Sequence, residues 1–200
     1  MAKGPTYRVP FRRRRQGKTN YQKRKALILS RRLRLVVRGT QKHTLIQFIK
    51  AKTTGDEVVV SAHSQELTKN YGWKGGCGNL PAAYLTGLLC GLRATVHNVK
   101  SAVLDMGLQS VSKGARVFAA LKGILDAGVA IPHKENILPD ETRIQGQHIA
   151  EYAKQLSLDP EAYEKRFAEY LSRSLRAEQL PEHFSTVREK ISSSSKEEKK

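Results

Sequence analysis

Arg12–Arg13–Arg14–Arg15, followed by Lys18, Lys23, Arg24 and Lys25, is the densest set of chemically committed side chains in this protein. Planar guanidinium groups bind phosphate oxygens through forked N–H donors, and aromatic rings among them offer faces on which unstacked bases lie. Tyr7 and Arg8, Phe11 and Tyr21 flank the run, and the charge continues through Arg31, Arg32, Arg34 and Arg38. Residues 1–55 hold seventeen Lys and Arg and no Asp or Glu, within a chain of net charge +18. A segment this one-sided repels itself unless a polyanion neutralises it. A localisation signal or a solvated charge run would share the composition. A membrane surface would also attract it, but the stretch lacks the apolar helix face that interfacial binding needs. RNA is the expected partner, because neither paired DNA-reading helices nor zinc-finger spacing accompanies the charge.

A second constellation is Tyr71–Gly72–Trp73–Lys74–Gly75–Gly76–Cys77–Gly78–Asn79, just ahead of a helical pattern. Glycines there can bring backbone N–H groups and a helix N-terminus onto a phosphate, with Lys74 alongside. The ending lacks the Gly-Lys-Ser/Thr of a nucleotide-hydrolysing loop. Two readings stand, an RNA-backbone contact and a connector whose glycines only turn the chain. The six histidines are scattered, and Cys77 and Cys90 have no companions at metal-ligand spacing, so neither a metal nor a cofactor is expected. Asp105 and Asp126 are the acids of the central region near elements that could converge. A metal-dependent nuclease is therefore the alternative class, and it is short of the several carboxylates that two metals require.

The elements that must position these groups follow from periodicity. Residues 1–19, broken by Gly4, Pro5, Pro10 and Gly17, read as an arm that is disordered alone, and a short basic helix follows from Asn20 with Thr19 placed to cap it. In Arg32–Leu33–Arg34–Leu35–Val36–Val37–Arg38 apolar and arginine positions alternate, which predicts a half-buried strand with Arg32, Arg34 and Arg38 facing outward. Short turns lead into runs at 44–50 and 57–62, an antiparallel meander. Leu80–Val96 has helical spacing, with Gly87 and Gly91 one turn apart and able to approach a sheet closely. A fourth strand at 101–105 and a helix at 115–127, ended by Gly128, complete a βββαβα layer. Beyond Pro132 one amphipathic helix carries Ile144, His148, Ile149, Tyr152 and Leu156. Asp159–Pro160 starts another, carrying Tyr163, Phe167, Tyr170 and Leu171. The expected organisation is a basic arm and helix (1–31), an α/β core (32–132), a helical extension (133–191) and a disordered polar tail (192–200). The extension is nearly neutral. It is expected to be mobile in the free protein, to dock on neighbouring proteins, and to be dispensable for binding free RNA. No apolar run approaches the roughly 18 residues of a membrane span, and no small-molecule substrate is indicated. Two cysteines and a polar start suggest a cytoplasmic chain.

Three stretches resemble a known family. They are Arg12–Arg13–Arg14–Arg15–Gln16–Gly17–Lys18–Thr19–Asn20–Tyr21 with Lys23 and Arg24; Lys69–Asn70–Tyr71–Gly72–Trp73 running on through Asn79, Ala82–Ala83–Tyr84 and Thr86–Gly87–Leu88–Leu89; and Phe118 to Gly123 with Asp126, Gly128 and Ile131–Pro132–His133. Together they resemble the 5S-rRNA-binding proteins of the large ribosomal subunit, called L-eighteen in archaea and bacteria and L-five in eukaryotes. The resemblance spans roughly residues 5–155, and the extension is similar to that of the archaeal branch. It implies a non-catalytic role, holding 5S rRNA against large-subunit rRNA in the central protuberance beside neighbouring ribosomal proteins. It adds Thr19, Lys69 and Trp73 to the residues expected at the RNA, beside Lys74. The family has fewer glycines at Gly75–Gly78, which leaves Cys77 without an implied role.

Overall fold

The computed structural model describes residues 4–197. A single helical turn, α1 (Arg12–Arg15), precedes α2 (Tyr21–Leu29), and then come β1 (Arg34–Gly39), β2 (Thr44–Ala51) and β3 (Asp56–His63). Helices α3 (Ser64–Tyr71) and α4 (Leu80–Val96), strand β4 (Val103–Asp105) and helix α5 (Arg116–Asp126) complete the central layer. The extension forms α6 (Glu141–Gln145), α7 (Gln147–Leu156), α8 (Pro160–Ser172) and α9 (Leu180–Glu197). Sheet order is β3-β2-β1-β4, with the meander antiparallel as expected and β4 parallel to β1.

Local chemistry accounts for most boundaries. Asn20, not Thr19, caps α2, its side chain accepting from the N–H groups of Gln22 and Lys23 at 3.1 Å. His63 and Glu66 form a reciprocal capping box at the start of α3, a helix the periodicity of the sequence did not reveal. Asn79 caps α4 and Asp159 caps α8, each with a proline in the first turn. The single amphipathic helix expected around 144–156 is broken in two by Gly146, whose φ of +86° suits glycine alone at low cost.

Helices α4 and α5 cover one face of the sheet and cross each other at backbone contact. A Cβ at Gly87 would fall 2.1 Å from the carbonyl oxygen of Ala120, and one at Gly123 would fall 2.3 Å from that of Tyr84. The glycines of α4 therefore serve the approach of α5 and not, as their spacing suggested, the approach of a sheet.

The C-terminal helix departs most from expectation. Leu180, Phe184, Val187 and Ile191 of α9 are almost fully buried in the same cluster as Trp73, Tyr84, Leu85 and Leu121. The extension is thus packed into the central core and does not stand apart from it. The polar stretch beginning at Ser192 continues this helix to Glu197, and residues 198–200 of the expected tail lie outside the described residues. A smaller cluster around Ala153, Phe167 and Ala177 joins α7 to α8.

Candidate nucleic-acid interface

Helix α2 lies over the sheet face opposite α4 and α5. Its Ala26 and Leu27 line a cleft of about 370 Å³ shared with Arg38, Leu104 and Met106, and the cations Arg13, Lys18 and Lys23 also line it. The arm is folded onto itself. Arg13 Nε donates to Thr19 Oγ1 at 2.8 Å, and the Phe11 and Tyr21 rings meet at 5.2 Å. Arg12, Arg14, Arg15, Lys18, Lys23 and Lys25 are exposed and make no ion pair among the described residues. Tyr7, Arg8, Arg31 and Arg32 are exposed as well.

Three arginines of the expected surface behave differently. Arg34 is only 2% exposed. It pairs with Asp56 at 2.8 Å and with Asp105 at 3.2 Å, while Arg24 of α2 reaches the same Asp56 oxygen at 2.9 Å. Arg38 pairs with Asp105 at 3.1 Å and donates to its carbonyl at 2.7 Å. Burial alone would raise the pKa of Asp56, but hydrogen bonds from Arg34 and Arg24 hold it below the ordinary carboxylate value. Alternation correctly put Leu35 and Val37 in the core. The outward arginine face is nevertheless corrected at Arg34, because a second layer covers it and two carboxylates distant in sequence, Asp56 on β3 and Asp105 on β4, neutralise it. Asp56 ties α2 to the sheet through Arg24 and Arg34, while Asp105 joins β4 to β1 through Arg34 and Arg38. Both are among only five Asp and Glu between residues 56 and 134, and that scarcity was the available signal.

The second constellation also changes character. Trp73 is fully buried, with its ring stacked on His183 of α9 at 5.2 Å and Nε1 donating to the Gly76 carbonyl, so it offers no face to a base. A Cβ at Gly75 would lie 2.6 Å from the Trp73 ring, and one at Gly78 only 2.2 Å from the Gln41 carbonyl oxygen. Arg173 Nη1 donates to the Gly75 carbonyl and Arg116 Nη1 to that of Gly78, at 2.9 and 2.7 Å. This run is an internal junction between the core and the extension. Lys69 and Lys74 remain exposed beside it. The buried Cys77 sits against Thr68 Oγ1 at 3.3 Å, and burial pushes the Cys90 thiol up to about 12.

The carboxylates considered for metal chemistry do not converge. Asp105 is spent on Arg34 and Arg38, while Asp126 accepts from the Tyr84 hydroxyl at 2.7 Å and pairs with Lys122. Among the described residues no helix is long and apolar enough to cross a membrane.

The family model described as "Ribosomal large subunit proteins 60S L5, and 50S L18" matches residues 5–100 and 93–134. A curated relative, "Large ribosomal subunit protein uL18" of Staphylothermus marinus, is 52% identical over 192 residues, covering 96% of this chain and 95% of its own. The chain belongs to this family. It is a structural component of the large ribosomal subunit and not an enzyme. The family model ends at residue 134, whereas the match to the archaeal relative spans nearly the whole chain, so the two proteins share the extension.

Proposed function

We propose that this ribosomal protein binds 5S rRNA through α1, α2 and the exposed cations around them, and attaches it to large-subunit rRNA in the central protuberance. The observation that carries the reading is the electrostatic separation within the fold. The carboxylates near the arm are engaged by Arg24, Arg34 and Arg38, which leaves Arg12–Arg15, Lys18, Lys23 and Lys25 as uncompensated charge. Phosphates are the partners such a surface favours. Tyr7 and Tyr21 stand among these cations, and aromatic rings in such a setting stack on unstacked bases. Arg24 and Arg38 contribute from the rim of the cleft, each with its charge shared with a carboxylate.

Each phosphate contact releases counterions, so log affinity falls with log salt by about 0.7–0.9 per contact. Replacing Arg12–Arg15 by Ala is expected to flatten the salt dependence of 5S rRNA binding by about 2–3 units, if most of the four meet phosphates. Binding titrations at several salt concentrations read this directly. An unchanged slope would place the run in solvent.

A further inference from the structure

Helix α5 begins without a cap. Ala115 offers no side-chain acceptor, and neither Asp nor Glu occupies the first turn. Among the described residues the N–H groups of Arg116 and Val117 accordingly meet no acceptor. This helix end opens onto a cavity of about 270 Å³, walled by Gly39 and Thr44 of the sheet, Gln109 and Ser110 of the preceding loop, and Arg116 and Val117 themselves. No carboxylate lines it, and the chain carries no Asp or Glu before Asp56 or between Asp105 and Asp126. Arg116 adds a full positive charge at the same place. Its Nη1 donates to the carbonyls of Thr40 and Gly78 at 2.8 and 2.7 Å, which fixes the guanidinium over the end of β1. Among the described residues it makes no ion pair.

Thr44 adds an independent observation. It is 1% exposed, yet its Oγ1 has no hydrogen-bond partner among the described residues. Alternation along β2 puts it on the face of Ile46 and Phe48, which α4 and α5 cover, so its side chain points toward the first turn of α5. Buried hydroxyls are nearly always paired, and one left unpaired costs stability. A ligand with acceptor oxygens removes that cost.

We propose that the N-terminus of α5 is a binding site for one tetrahedral oxyanion of the phosphate class, either a free phosphate ion or a single phosphate of a polynucleotide. The backbone N–H groups of Arg116 and Val117, the Thr44 hydroxyl and the Arg116 guanidinium converge as donors, with the positive end of the helix dipole behind them. A cation would meet only positive charge here, and an apolar ligand would leave each of these groups unpaired. The site shares no lining residue with the cleft beside the arm, and it stands whether or not α1 and α2 bind 5S rRNA.

Three variants of the full-length chain test the site. T44V removes the hydroxyl at nearly constant shape, T44S keeps it, and A115D supplies a carboxylate as an internal cap for the same N–H groups. T44V and A115D should be at least as stable as wild type, because one loses an unpaired polar group and the other gains a cap. Inorganic phosphate is titrated at constant ionic strength into isotope-labelled protein. The amide resonances of Arg116 and Val117 are followed, which separates this site from phosphate gathered by the cations of the arm. Both amides should shift and saturate in wild type and in T44S. T44V should bind about tenfold more weakly or worse, the least that a hydrogen bond to a charged group is worth. A115D should show no saturable shift. Salt titrations of RNA binding then distinguish the two sources. A slope lower in A115D by about 0.7–0.9, one contact, would assign the site to a polynucleotide phosphate, and an unchanged slope would assign it to the free ion. Either result upholds the site. It would be overturned if the two amides showed no saturable shift in wild type, or if wild type, T44V and A115D bound phosphate equally well.

Discussion

Phe184→Ala probes the largest difference between the periodicity of the sequence and the folded chain. Phe184 is 2% exposed in the central core, with its ring 5.6 Å from that of Tyr84. Truncating a fully buried phenylalanine removes its transfer free energy and leaves a cavity, at a cost of about 3–5 kcal/mol. That is a large part of the roughly 5–15 kcal/mol that stabilises an ordinary domain. Tyr152→Ala on α7 is the matched control. Its side chain is 45% exposed, so its loss should cost far less. The protein carries its own reporter, because Trp73 is the only tryptophan and stacks on His183 of α9. Urea unfolding followed in parallel by Trp73 fluorescence and far-ultraviolet circular dichroism should give one coincident transition in the wild type. Phe184→Ala should shift both signals together to lower urea without changing the slope. If the fluorescence change came at markedly lower urea than the loss of helix and sheet, α9 would undock alone. If Phe184→Ala cost less than about 1 kcal/mol, its burial would not be stabilising and the integrated core would be refuted.

Two further outcomes follow from the ion pairs and the histidines. Arg34→Ala removes a cation from Asp105 and from Asp56, and breaking a buried pair costs about 3–5 kcal/mol. Because the Asp56 side chain is 27% exposed, the lower end is expected. Urea midpoints should show this loss, and an Arg34→Ala protein as stable as wild type would mean that the network contributes nothing. His63, His148 and His183 all titrate below the ordinary histidine value, first because burial disfavours their charged forms. The unfolded chain therefore takes up protons first, so stability should be fully present above about pH 6.5 and decline as pH falls through the lower folded values. Lys74 N–H donates to His183 Nε2 at 3.0 Å, an acceptor that protonation removes. Replacing His183 with Gln should reduce the acid slope by at most about 1.4 kcal/mol per pH unit, measured by urea unfolding between pH 5 and 7. An unaltered slope would show that His183 is not among the residues responsible.

The sequence by itself determined the charge segregation, the meander, α2, α4, α5 and the start of α8, because periodicity, caps and charge runs are local properties. The spacing of Leu180, Phe184, Val187 and Ile191 was equally local, a stripe at 4, 3 and 4 residues that is legible once α9 is sought. The arm and the Lys69–Trp73 stretch carry the family resemblance in residue types and spacing alone. Tertiary structure alone decided which cations are free. Alternation says that Arg34 and Leu35 point to opposite sides of a strand, but not whether a second layer covers the arginine side. That depends on α2 crossing the sheet and on Asp105, 71 residues away, arriving on a neighbouring strand. The same holds for Trp73, which looks like an exposed ring among glycines until α9 folds back over it. Burial is a property of pairs of distant segments, whereas composition and spacing describe one segment at a time.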